Sequence, residues 1–330
     1  MKAKELGKRL YNSRLLRWAI VIIAVGVGGY KISEQWHGVS GGLSKIGLIA
    51  SFEALLALLA AQFANLKVWQ SLLAGLGSPL PTSVAARILL IGQLGKYIPG
   101  SLWPVLTQME LGAQAKVPRA RSASASILSM LLSLCVGLVI AMVTIPFGAA
   151  GSHSHDYLWV FLLLPVMLAC FHPKILNPLL NRLFKLARRT PLDTPITGRM
   201  LAQALGWQIT AWLCQGLQIW ILAEKFHAPV GKLALIALGG YAFAWCVGFL
   251  IVLAPAGAGF RDVVLIAALG PLIGTAPATA VAVISRVITT LSDLLCAGAA
   301  AFRRPRIAPP DSAEGVEPAP ASGPVSSDLG

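Results

Sequence analysis

Apolar residues run along this chain in long blocks, separated by short segments that carry most of the basic residues. A block of about 18 or more apolar residues is long enough to cross a bilayer as a helix. The pattern predicts an all-α polytopic transmembrane bundle of about eight spans, at about 17–33, 45–66, 123–147, 157–171, 201–223, 233–253, 261–275 and 278–302. Lys67 and Arg87 bracket a segment broken by Pro79 and Pro81, after which Ser83 is placed to cap a new helix. That helix, at about 84–98, stops at Pro99-Gly100, and a second short apolar piece, at about 102–111, ends before Lys116, Arg119 and Arg121. Basic residues on both sides put both ends of the pair on one side of the membrane. The pair therefore reads as a re-entrant helical hairpin, whose non-helical turn must be buried in protein or line a polar cavity.

Charge then fixes a direction. The chain has 330 residues and a net charge of +14, but only 12% of its residues are charged, about half the share of a soluble domain. The excess is basic and sits between apolar blocks, the footprint of the positive-inside rule rather than of nucleic-acid binding. Lys174, Arg182, Lys185, Arg188, Arg189 and Arg199 mark a cytoplasmic loop, in which Leu176, Leu179, Leu180 and Leu183 form one stripe of a surface helix suited to an anionic leaflet. Arg303, Arg304 and Arg306 place the C-terminus inside, and an even number of spans places the N-terminus there too. Residues 1–16 read as a basic cytoplasmic N-terminus, 17–302 as the membrane domain, and 303–330, rich in Pro, Ala and Ser, as a disordered tail. The first block, preceded by six Lys and Arg and followed by no small-residue cleavage site, is an uncleaved helix of a cell-membrane protein.

Several chemistries are unsupported. The five cysteines lie in apolar blocks with no CxxC spacing and read as packing residues. His153 and His155 have no Cys, Glu or further His beside them, so neither a metal nor another cofactor is expected. No Walker A sequence occurs. The outer-loop acids Glu34, Asp156 and Glu224 are single, where a lipid-linked glycosyltransferase calls for a pair.

Candidate chemistry lies in two Pro/Gly interruptions, one in each half: 95–101, and 254–262. Broken helices in matching positions point to a transport site, and their N-terminal ends attract anions. Each break carries a cation, Lys96 or Arg261, suited to a lipid phosphate; against this stands the reading in which the prolines are kinks and the cations snorkel to the interface. Tyr97, Pro99, Gly100, Trp103, Pro255, Gly257 and Gly259 are the candidate cavity lining. Arg286 and Asp293, seven apart on the last span, share a face, and Arg286 has Asp262 or Asp293 as its partner. Such intramembrane ionisable residues are either ion pairs or part of translocation, and Glu53 is either a proton carrier or a hydrogen-bonded packing residue.

At the two interruptions the sequence resembles a known family. The segment Ile91-Gly92-Gln93-Leu94-Gly95-Lys96-Tyr97-Ile98-Pro99-Gly100-Ser101-Leu102-Trp103-Pro104 is similar to the first-half motif of the lysylphosphatidylglycerol synthase transmembrane-region family, also called flippase-like or UPF0104 proteins. The segment Pro255-Ala256-Gly257-Ala258-Gly259-Phe260-Arg261-Asp262 resembles its second-half motif, with Ala256 for a glycine and Asp262 for a glutamate, and Arg286 falls where members carry an arginine. The resemblance implies a flippase-like domain that binds and translocates an anionic phospholipid or a polyprenyl-phosphate-linked lipid. Lys96, Arg261 and Arg286 would hold its phosphate. Full-length synthases add a soluble domain that transfers lysine; the chain is expected to lack it and not to be an enzyme. The alternatives are a membrane-embedded enzyme acting on lipid head groups, with Glu53 as its reactive group, and a non-transporting scaffold for envelope glycosyltransferases. Expected partners are membrane lipids, anionic ones above all, and not nucleic acid.

Overall fold

The computed structural model describes residues 36–97, 103–148, 197–251 and 259–302, all of them in helices or short connections. Eight α-helices are present among them: α1 (Trp36–Gly75), α2 (Thr82–Gln93), α3 (Trp103–Gln114), α4 (Arg119–Gly148), α5 (Gly198–Ala223), α6 (Val230–Leu250), α7 (Phe260–Ile273) and α8 (Thr275–Phe302). The expected spans at 17–33 and 157–171, the surface helix near 174–199, the tail after 302, and Pro99, Gly100, Pro255 and Gly257 lie outside the described residues.

Four helices are long and apolar enough to cross a membrane, α1, α4, α6 and α8. At 1.5 Å per residue, α6 with its 21 residues measures about 32 Å, close to the roughly 30 Å hydrocarbon core. α5 is long enough at 26 residues, but Gln203, Gln208, Gln215 and Gln218 make it less apolar. α7, expected as a span at 261–275, has 14 residues and is too short to cross alone, at about 21 Å. α1 runs well past the expected boundary at Leu66. Lys67 does not end it, because its ammonium turns to Gln70 and Thr82 while Val68, Trp69, Leu72 and Leu73 continue a buried stripe. A sharp kink at Gly47, φ 69° and ψ 176°, divides its first turns from the rest.

Three local expectations are corrected. Ser83 does not cap α2; the helix begins at Thr82 behind Pro81, and the Thr82 hydroxyl bonds Gln70 instead. Pro277 does not turn the chain. Gly274, at φ 89°, makes the turn, and Pro277 sits in the first turn of α8, where a missing N–H is tolerated. The helical run of the first hairpin arm ends earlier than Ile98, at Gln93, and Leu94–Tyr97 tighten into a 3-10 turn.

Packing follows the rule for helices in lipid, where small residues let backbones approach. Gly137 of α4 faces Trp212 of α5 and Cys246 of α6, and Gly239 of α6 faces Thr144 of α4. α6 is thereby wedged among α4, α5 and α7, while α1 lies along α5 and α8. The large apolar side chains Leu48, Ile49, Phe52 and Phe63 of α1 point outward, as lipid-facing residues do.

The α2–α3 pair is an antiparallel hairpin. Gly92 lies against Gln108, and Gly95 against the backbone of Trp103 and Pro104. Each arm has 12 residues, about 18 Å, which is well short of a crossing. A buried polar chain pins it: Trp69 Nε1 of α1 donates to Ser126 Oγ of α4 at 3.1 Å, and the Ser126 hydroxyl donates to Gln108 Oε1 of α3. A Cβ at Gly95 would stand 2.9 Å from backbone atoms of Trp103 and Pro104. Backbone cannot give way as a flexible side chain can, so Gly95→Ala is expected to cost about 1–3 kcal/mol. Thermal unfolding in detergent should show this, with Gly298→Ala, where a Cβ meets open space, as the unaffected control.

Candidate functional site

The interior between α1, the hairpin, α4, α5, α6 and α8 encloses a cavity of about 270 Å³. Both interruptions reach it. The 3-10 turn ending the first hairpin arm brings Lys96 and Tyr97 to its wall, and the first turn of α7 brings Arg261. Arg286 of α8 lines it as well. Lys96, Arg261 and Arg286, far apart in sequence, thus face one space.

Two carboxylates stand behind these cations rather than on the cavity wall. Asp293, 3% exposed, accepts three bonds: Gln62 Nε2 of α1 reaches Oδ1 at 2.6 Å, while the Tyr97 hydroxyl at 2.6 Å and Lys96 Nζ at 2.7 Å share Oδ2. Asp262 pairs with Arg286 Nη2 at 2.7 Å, and the same oxygen accepts the N–H of Gly259 at 3.2 Å. Of the two partners open to Arg286 in the sequence, the structure therefore pairs it with Asp262, and Asp293 goes to Lys96. The shorter side chain of Asp262 is long enough for this because it sits three residues into the helix that its own carboxylate caps. That cap places a carboxylate at the N-terminal end of α7, where it takes up the N–H of Gly259 and offsets part of the positive end of the helix.

Arg261 is different from the other two. It is 8% exposed, stacks on the Tyr241 ring with its guanidinium carbon 4.5 Å from the centroid, and donates from Nη2 to the Tyr241 hydroxyl. Among the described residues it has no carboxylate partner. An aromatic face and a neutral hydroxyl compensate a buried cation only in part.

Other expected site residues fall elsewhere. Trp103 is exposed and is not part of the cavity wall; its neighbour Pro104 is. Gly259, at φ 85°, ends the second break and starts α7 without lining the cavity. Glu53 is exposed on α1 and is not among the residues that line the cavity. Glu110 pairs with Arg119 on the surface at 2.9 Å. Metal-binding clusters of His, Cys, Asp or Glu are absent among the described residues.

Sequence reasoning passed over the neutral polar wall. Gln62 and Asn65 are three apart on α1, Gln208 and Gln215 seven apart on α5, and Ser126, Ser129 and Ser133 follow at helical spacing on α4. Each set occupies one helix face, and all but Ser126 line the cavity. Carboxamides and hydroxyls repeating at three, four or seven inside apolar blocks were the available signal. Tyr241 carried none.

A bundle of apolar helices, with a re-entrant hairpin and a polar cavity at its centre, defines an all-α membrane protein. The chain belongs to the lysylphosphatidylglycerol synthase TM region family, whose profile matches residues 14–297. No curated protein and no solved structure matches it.

The burial of Asp293 gives a direct test. Removing one partner of a buried ion pair costs about 3–5 kcal/mol, and Lys96, a third exposed, brings the expectation for Asp293→Ala to the low end, about 3 kcal/mol. Asp262→Ala, whose ion pair is about 30% exposed on both sides, should cost clearly less. Adding Lys96→Met to Asp293→Ala should recover part of the loss, because no cation is then left stranded. Thermal unfolding of the four purified proteins measures all three differences.

Proposed function

We propose that this protein binds an anionic lipid by its phosphate and carries the head group across the bilayer without chemical change, a flippase-like role. The observation that carries this reading is Arg261, a buried cation on the cavity wall with no acidic partner among the described residues. Lys96 and Arg286 join it on the same wall while their carboxylates stand behind them, so the cavity presents positive charge to whatever enters. A charge-assisted hydrogen bond to phosphate contributes about 1.5–3 kcal/mol, and burial strengthens it. The lipid chains would remain in the surrounding bilayer while the head group occupies the cavity. Phosphatidyl and polyprenyl-phosphate lipids both fit this outline. The proposed setting is the cell membrane, with both termini cytoplasmic.

The competing enzymatic reading needs a reactive group facing the lipid. Its candidate, Glu53, lies outside the cavity, and the two carboxylates near it are held in ion pairs. A scaffold role for envelope glycosyltransferases rests on the loop at 174–199, which lies outside the described residues, and no observation favours it.

Translocation of a head-group-labelled phosphatidylglycerol in proteoliposomes tests the proposal. The Lys96→Ala/Arg261→Ala double variant is expected to translocate at least tenfold more slowly, as loss of two charge-assisted contacts requires, while keeping its elution profile and helical content. An unchanged rate in the folded variant overturns the assignment. A new covalent lipid product from the unaltered protein would overturn it in favour of the enzyme.

A further inference from the structure

The same cavity carries information about the rest of the head group. Among the described residues its charged lining is three cations, and neither Asp262 nor Asp293 is on the wall. Both carboxylates are already bonded, Asp293 by three donors and Asp262 by Arg286 and a backbone N–H. An ammonium group entering here would meet like charge and, among the described residues, no available carboxylate.

What the cavity does offer is neutral. Asn65 and Gln93 line it and have no side-chain hydrogen-bond partner among the described residues. Each carboxamide has both donors and an acceptor, the complement of a hydroxyl group. Ser129, Thr289 and Thr290 add hydroxyls to the same wall. Trp245 and Phe249 form an aromatic side, stacked at 5.1 Å and nearly parallel, against which the C–H face of a polyol or sugar ring can rest. A volume of about 270 Å³, near the lower end of ligand pockets (roughly 300–1,000 Å³), accommodates one head group and not a chain of sugars.

Building on the phosphate-binding reading above, we infer that the cavity selects a phosphate ester of an uncharged, hydroxyl-rich group, a glycerol, cyclitol or single sugar. It rejects head groups that carry an amine. Arg261 and Lys96 take the phosphate; Asn65 and Gln93 read the hydroxyls. An aminoacylated lipid would be a poor ligand for this chain, because its ammonium groups meet no available carboxylate among the described residues of the wall.

Native mass spectrometry of the protein, equilibrated with equal amounts of phosphatidylglycerol, phosphatidylethanolamine and lysyl-phosphatidylglycerol of matched chains, tests this. Phosphatidylglycerol is expected to be retained at least tenfold over the other two. Asn65→Leu/Gln93→Leu should weaken phosphatidylglycerol binding by a few-fold and lower that preference by the same factor, whereas Lys96→Ala/Arg261→Ala should lose retention of every lipid. Equal or greater retention of either amine-bearing lipid overturns the head-group inference while leaving phosphate binding intact. Retention of all three that is unaffected by Lys96→Ala/Arg261→Ala overturns the phosphate site itself. Displacement of bound lipid by an equal concentration of glycerol 3-phosphate would assign the cavity to a soluble phosphate ester, overturning the lipid reading but supporting the hydroxyl-rich one.

Discussion

Asp293 is a carboxylate buried inside an apolar bundle, and that position is tolerable only because three donors converge on it. Those donors come from places that nothing else obliges to meet. Gln62 belongs to α1, Lys96 and Tyr97 to the turn that ends the first arm of the hairpin, and Asp293 itself to the last helix. The charge therefore ties the irregular segment of the first half to the spine of the second. Apolar contacts alone would hold a hairpin of two 12-residue arms poorly, since lipid offers them equally well, so this tie and the Trp69–Ser126–Gln108 chain together fix its position.

α8 repeats the arrangement two turns earlier. Arg286 reaches Asp262 just after the second break, about 10.5 Å along the helix from Asp293. One straight helix thus contributes an acid to the cation of the first interruption and a cation to the acid of the second. In both pairs the cation is the cavity-facing member. The result is a site whose net formal charge is fixed by Arg261, since the other two cations are each matched by a carboxylate. The family profile matches residues 14–297, so both interruptions and α8 as far as Ala297 fall within it.

Much of this was legible in the chain. The apolar blocks are long and the Pro/Gly breaks punctuate them, so helices, hairpin and the two cation-bearing interruptions follow from local pattern alone. What local pattern leaves open is facing. The blocks are apolar on nearly every side, so depth can be read but not direction, and Glu53 illustrates the difference: deep in its block, yet exposed on α1. Trp103 likewise adjoins the break but points away from it. The pairing of two cations with two carboxylates was equally open, because Arg286 lies within reach of Asp262 or Asp293 until the turn at Gly274 sets the position of α7 against α8. Neutral side chains were undervalued for a further reason. A glutamine costs less than a charge to bury, so it attracts less notice, yet Gln108 fixes the hairpin to α4 and Gln62 joins α1 to the Asp293 carboxylate of α8.

The energetic asymmetry among the three cations decides what the cavity can do. Lys96 and Arg286 can approach an anion only in competition with a carboxylate 2.7 Å away. Arg261 has no such competitor. At an effective dielectric near 20, a unit anion about 4 Å from it is attracted by about 4 kcal/mol, against about 1 kcal/mol in water. Tyr241 offsets a fraction of the desolvation already incurred, through its ring face and hydroxyl. In the proposed role, an entering phosphate would gain most of its binding from the one cation that has no carboxylate partner among the described residues, with Lys96 and Arg286 adding field but little net charge. With a single uncompensated charge dominating, attraction in the cavity would stay moderate, so that a head group that entered could also leave, the condition that the proposed passage across a membrane must satisfy.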